Sequence, residues 1–281
     1  MNRPRLPIRL SAAVLSVLSV PSVSAQTDPS GDWHTWHTEH FRVHARASRE
    51  ALALRAAAEA ERAYAVLAAE LVPPRGTIDL TLHDNVDFAN GFATTVPSNR
   101  IAIFPVPPAG SAVLARYDEW LRLVITHELF HLFHLDRTRG VWRFAQRIFG
   151  RVPGTFPNAY QPAWVSEGLA TYYESRLTTA GRLRGGLQPQ LLAAAVEGRW
   201  PRPADATLAS PAWPAAFRPY AWGSFFFARA ARESGDSVIR RFVERGAGQL
   251  WPYGVSGALR RAGGGAVGDQ WEGLRTDWAG V

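Results

Sequence analysis

The chain has 281 residues, with 47 % hydrophobic and 20 % charged residues and a formal net charge of +7, a folded-protein composition that excludes a disordered or collagen-like chain. It contains no cysteine, which excludes disulfides, thiol catalysis, iron–sulfur clusters and cysteine-ligated zinc. All 31 basic residues are arginine, so a lysine nucleophile, a Schiff base and a Walker-type phosphate lysine are excluded too.

In chain order, Arg3, Arg5 and Arg9 precede an apolar run from Leu10 to Val20 that is too short to span a bilayer. Pro21 breaks the run, and Val23-Ser24-Ala25 supplies small residues before Gln26. This is the pattern of a secretory signal peptide over residues 1–25. Its removal takes away three arginines and no acid, lowering the formal charge from +7 to +4. A charge that small gives no reason to expect a nucleic-acid partner. The mature chain is expected to be exported to a bacterial periplasm or exterior, with no stable membrane insertion.

Residues 26–38 read as a tether. Alternation over His40–Ala45 predicts a strand, and Ser48 is placed to cap a long helix running to Leu71, ended by Pro73-Pro74. Ile78, Leu80 and Leu82 predict a second strand. Asn90-Gly91 suggests a turn, and Ile101–Phe104 a further strand before Pro105. Beyond residue 110 helical periodicity dominates, at about 117–136, 163–176, 188–197, 221–233 and 237–245. The expected fold class is α+β. A mixed strand and helix lobe (39–136) precedes a mostly helical lobe (137–281), within one domain spanning 39–281.

Residues 127–131 read His-Glu-Leu-Phe-His. Positions four apart share one face of a helix, so His127 and His131 can present two imidazoles to one metal ion. Glu128 lies beside them, where it can take a proton from a metal-bound water. The neighbours Trp120, Leu121, Val124, Ile125, Leu129, Phe130, Leu132 and Phe133 are those of a buried helix. A catalytic zinc takes a third protein ligand and leaves one position for water. The pattern with a third histidine close behind does not apply, because the required Gly and His positions hold His134 and Arg137. The remaining common choice is a glutamate on a later helix. Glu167 and Glu174, in Pro162-Ala-Trp-Val-Ser-Glu-Gly-Leu-Ala-Thr-Tyr-Tyr-Glu174, are seven apart on one face, and Gly168 permits a close helix crossing.

With both motifs quoted, the chain resembles the glutamate-zincins, the peptidase MA clan. The pair HELFH and WVSEGLATYYE is similar to the aminopeptidase-N and leukotriene-hydrolase pattern. It looks closer to the bacterial peptidase MA-like domains that precede some Tol-type propellers. The stretches DFANGFATTVPSNRIAIFPVPP, GRLRGG and PYAWGSFFFARAARESGDSVIRRFVERG add to that likeness over most of the mature length. The resemblance implies a zincin-like fold, one zinc ion held by His127, His131 and Glu167, and Glu128 as general base. It casts Glu174 as the group that holds a ligand histidine in the right tautomer. Thermolysin-like enzymes place an aspartate four residues after the ligand glutamate, where this chain has Thr171. The Gly-x-Met-Glu-Asn segment of aminopeptidases is missing, and Asn99–Phe104 occupies the comparable place. Endopeptidase activity is therefore left open.

Tyr220, expected just ahead of a C-terminal helix, is the candidate oxyanion donor, and Ile101–Phe104 the candidate sheet edge for an extended peptide. His134 is two turns from His127, too far along the axis to share a metal. His34, His37, His40 and His44 fall in the tether and first strand, without the apolar support of a metal site. The leading expectation is a secreted zinc metallopeptidase acting on a peptide or protein substrate. The alternatives are a non-catalytic zincin-fold binding module of the cell envelope and hydrolysis of a non-peptide amide or ester.

Overall fold

The computed structural model describes residues 31–109, 117, 119–207, 217–251 and 253–280. The expected signal peptide lies outside them.

Apolar alternation builds the sheet. Phe41, Val43 and Ala45 of β2 (Phe41–Arg46), Ile78, Leu80 and Leu82 of β3 (Ile78–Leu82), and Ile101 and Ile103 of β5 (Arg100–Phe104) are all buried. These three strands run parallel, with Phe41 beside Ile78 and Leu80 beside Ile101. Two antiparallel strands flank them, β1 (Trp33–His37) beside β2 and β4 (Asn90–Thr94) beside β5, giving the order β1-β2-β3-β5-β4.

Both flanking strands depart from expectation. Residues 33–37 are an edge strand rather than tether. Their sequence, Trp-His-Thr-Trp-His, has no aliphatic face to announce it, and the pairing with β2 holds it instead. Asn90-Gly91 opens β4 rather than forming a turn, with Asn90 opposite Phe104 and Thr94 opposite Arg100. In consequence Ile101–Phe104 is not the sheet edge: it lies between β3 and β4, and β4 is the outermost strand on that side among the described residues.

α1 (Glu50–Glu70) lies along β2 and against α2 (Trp120–Leu135). Its buried stripe of Ala53, Ala56, Ala60, Ala63 and Leu67 recurs at helical spacing, and the small side chains keep it close to its neighbours. Ser48 does not cap it. It sits inside a single 3₁₀ turn, Ala47–Arg49, and Arg49 holds the cap position without a side-chain bond. α2 is capped by Glu119, whose carboxylate accepts from the Leu121 and Arg122 amides at 3.1 and 2.7 Å. At its other end the buried Asp136 pairs with Arg75 and Arg151, both at 2.6 Å.

The rest is helical: α3 (Gly140–Phe149), α4 (Ala163–Leu177), α5 (Gln188–Val196), α6 (Arg218–Ser234), α7 (Ser237–Gly246), α8 (Val255–Ala262) and α9 (Val267–Ala279). The sequence periodicity did not anticipate α3, α8 or α9. The chain is thus α+β, with a five-stranded mixed sheet and a helical majority. α4 and α6 cross at two glycines. A Cβ built on Gly168 would lie 2.4 Å from the Gly223 carbonyl carbon, and one on Gly223 only 2.0 Å from the Trp164 oxygen. Gly168 therefore does permit the close crossing that its sequence position suggests.

Candidate metal centre

α2 runs beneath β4 and beside α4, and His127, Glu128 and His131 are buried on it among mostly apolar neighbours such as Val124, Leu129 and Phe130. α4 brings Glu167 to the same point. Its carboxylate oxygen Oε2 is 3.4 Å from His127 Nε2 and 3.6 Å from His131 Nε2. Among the described residues this is the one group of three such side chains with a ligand atom from each within 4.8 Å of the others. Donors bound about 2.0–2.2 Å from a tetrahedral zinc lie roughly 3.3–3.5 Å apart. The donor atoms therefore fit a single metal ion, and the His127, His131, Glu167 group can hold one.

The tautomer of His127 follows from its other nitrogen. Nδ1 lies 2.7 Å from Glu174 Oε2, and Glu174 is wholly buried on α4, two turns beyond Glu167. A carboxylate only accepts, so Nδ1 carries the proton and Nε2 presents its lone pair to the metal position. This is the role the sequence motif implies for Glu174. Burial and Arg182 both work against charge on His127, but its bonds to Glu167 and Glu174 outweigh them and raise its pKa to about 9, so a metal ion would take the place of the second proton, on Nε2. Burial also works against charge on Glu174, but Arg182 beside it holds its pKa down at about 2.

Arg182 is a residue the motif reading missed. Its Nε and Nη2 donate to the two Glu174 oxygens at 2.7 and 2.5 Å, and its backbone amide adds a third bond. Its guanidinium lies 4.6 Å from the centre of the Tyr220 ring. The 2.9 Å approach of Nη2 to His127 Nδ1 is the meeting of two donors at one acceptor oxygen. Gly181 makes the fold-back possible. Its φ is +97°, and a Cβ there would lie 2.5 Å from Ser175 Cα, so the chain after α4 returns tightly onto it. The sequence signal was Gly-Arg-Leu-Arg-Gly-Gly, a stretch that adds to the family likeness without giving its arginines a role.

Glu128 faces β4. A Cβ on Gly91 would meet its Cγ at 2.8 Å and its Oε1 at 2.9 Å. The glycine therefore leaves room for this carboxylate. Among the described residues no group hydrogen-bonds it, and burial raises its pKa despite the nearby histidines. Tyr220 sits in the first turn of α6 rather than ahead of it. Its ring stacks near His127, with centroids 6.3 Å apart. Burial, followed by the Glu167 charge, pushes its hydroxyl well above the usual range and keeps it protonated. Glu128, His127, His131, Glu167, Arg182 and Tyr220 line an open cleft of about 330 Å³, with Ala89–Ala93 along one side.

Three other histidines have separate partners. His134 is fully buried and bonds Gln161 at 3.2 Å, away from the metal donors. His40 bonds Glu61 at 2.7 Å, and His44 bonds Asp79 at 3.1 Å.

No protein-family model matches the chain, and no curated protein matches it.

Proposed function

We propose that the chain is an exported zinc metallopeptidase of zincin-like architecture that hydrolyses peptide bonds in the bacterial periplasm or outside the cell. One observation carries this reading. A buried carboxylate, Glu128, stands beside a His127, His131, Glu167 donor set inside an open cleft. A structural metal site needs no such base.

A zinc ion held by His127, His131 and Glu167 would act as a Lewis acid and bring the pKa of a water toward ~7. Glu128 takes a proton from the attacking water and returns it to the leaving amine. Tyr220 keeps its hydroxyl proton and donates it toward the oxygen where negative charge develops. Glu174 and Arg182 fix the orientation of His127. The outer edge of β4, unpaired among the described strands and bordering the cleft, offers backbone groups to an extended substrate.

The test is hydrolysis of a quenched-fluorescent peptide library by zinc-loaded protein, compared with Glu128→Gln at equal zinc content. Removing the general base should lower turnover by roughly 10²–10⁴-fold. Cleavage of esters but not peptides would redirect the assignment. Zinc binding with no hydrolysis of either would favour a binding module.

A further inference from the structure

α3 is amphipathic, and it is mounted with its apolar side outward. Its one buried residue is polar: Gln146 accepts from Thr138 Oγ1 at 3.1 Å and donates to the Thr155 carbonyl at 2.9 Å. Val141, Phe144 and Ile148, at helical i, i+3 and i+7 spacing, point to solvent, with Phe144 60 % and Phe149 67 % exposed. Trp142 anchors the helix through its ring nitrogen to the Gln249 carbonyl at 2.8 Å. Just past that carbonyl the chain exposes two further large apolar side chains, Leu250 and Trp251, the latter 70 % exposed. Several large apolar side chains exposed along one face of a helix mark an interaction site.

The charges around it select the partner. α3 contains no acidic residue, and it carries Arg143 and Arg147, neither of which has an ion-pair partner among the described residues. Aromatic and aliphatic groups flanked by cations are the make-up of helices that lie in the interface of an anionic bilayer. A two-fold pairing of this face with a second copy would instead set the same arginines against each other. No helix of the described residues is long and apolar enough to cross a membrane, so the contact is peripheral.

We propose that α3, with Leu250 and Trp251, docks the protein onto an anionic lipid surface. Phe144, Ile148 and Phe149 enter the headgroup boundary, and Arg143 and Arg147 pair with lipid phosphates. Docking also orients the cleft. Arg151, just past α3, donates to the Thr95 carbonyl at 2.6 Å, immediately beyond the end of β4. The β4 end of the cleft is thereby tied to the membrane-facing side. This inference goes beyond the peptidase reading and holds whether or not that reading does.

The experiment is vesicle co-sedimentation with the chain from Gln26 onward, which retains the single compact unit Asp32–Val281 and leaves out the N-terminal apolar run. The vesicles are an equal mixture of phosphatidylglycerol and phosphatidylcholine, with phosphatidylcholine alone as the neutral comparison. Wild type is expected to pellet with the anionic vesicles and to be released by added salt. Arg143→Gln with Arg147→Gln should weaken binding roughly fivefold for each arginine removed. Phe144→Glu with Ile148→Glu should abolish it, with the melting temperature unchanged because both side chains are exposed. No pelleting of wild type, or pelleting unaffected by either double variant, would overturn the proposal. So would self-association through this face without vesicle binding.

Discussion

His127 and Glu174 are joined at 2.7 Å through the imidazole nitrogen that does not face the metal position. Arg182 clasps the same carboxylate through three donors. The arrangement fixes the ring before any metal arrives. Glu174→Ala should lower zinc affinity by roughly 10–100-fold, as loss of an orienting carboxylate does elsewhere. Competition with a metal-sensitive chelator dye reads this directly. Unchanged affinity would mean that packing alone orients His127.

Gly91 leaves the space that Glu128 occupies. Gly91→Ala sets a methyl group 2.8 Å from the Glu128 Cγ, so the carboxylate must shift. A displacement near 1 Å can cost about 10² in rate. We expect turnover to fall on that scale with zinc content unchanged, as judged by parallel activity and metal assays. Full activity would show that Glu128 tolerates displacement or takes no part.

Tyr220 is held beside the donor set by the α4–α6 crossing. Tyr220→Phe keeps the ring over Arg182 and removes only the hydroxyl. Loss of an oxyanion donor costs about 10²–10³ in turnover, and a matching fall at constant zinc content is expected. Unchanged turnover would remove Tyr220 from the mechanism.

The crossing itself can be tested through stability. Gly168→Ala places a Cβ 2.4 Å from a backbone carbon of α6, which no rotamer change relieves. Overpacking of this kind costs about 1–3 kcal/mol, so thermal unfolding should shift down by several degrees. Gly76→Ala makes a useful contrast. It has open space and a φ of +73°, so its cost is conformational and smaller.

His134 sets an acid limit on the fold. Burial, followed by the charge of His131, depresses its pKa to about 3, despite the Gln161 bond. The unfolded chain takes up a proton near the ordinary value of 6.5, which the folded chain refuses until about 3. The stabilisation is therefore complete above pH 6.5 and drains away as pH falls toward 3. Urea unfolding of metal-free protein across this window should show a flatter pH dependence for His134→Gln than for wild type. Identical slopes would locate the acid sensitivity elsewhere.

The metal donors were legible because each stands at a helical spacing that chemistry demands. His127 and His131 are four apart on a largely apolar helix, and Glu167 and Glu174 are seven apart on one face of α4. The elements missed lack a local signal. β1 and β4 have weak strand patterns and exist through pairing with β2 and β5, a non-local effect that periodicity does not register. For the same reason the sheet edge was assigned to Ile101–Phe104, the more apolar run, when the less apolar β4 covers it. Arg182 reaches the site only through the backbone fold-back at Gly181. α3 carries a strong helical pattern in Val141, Phe144 and Ile148, yet it was not anticipated.

Zinc stoichiometry, measured by elemental mass spectrometry on the chain from Gln26 onward, tests the central claim most directly. The His127, His131, Glu167 group predicts close to one zinc per chain, lost in His131→Ala while circular dichroism shows the fold intact. A folded wild-type chain that holds no zinc after reconstitution would contradict it.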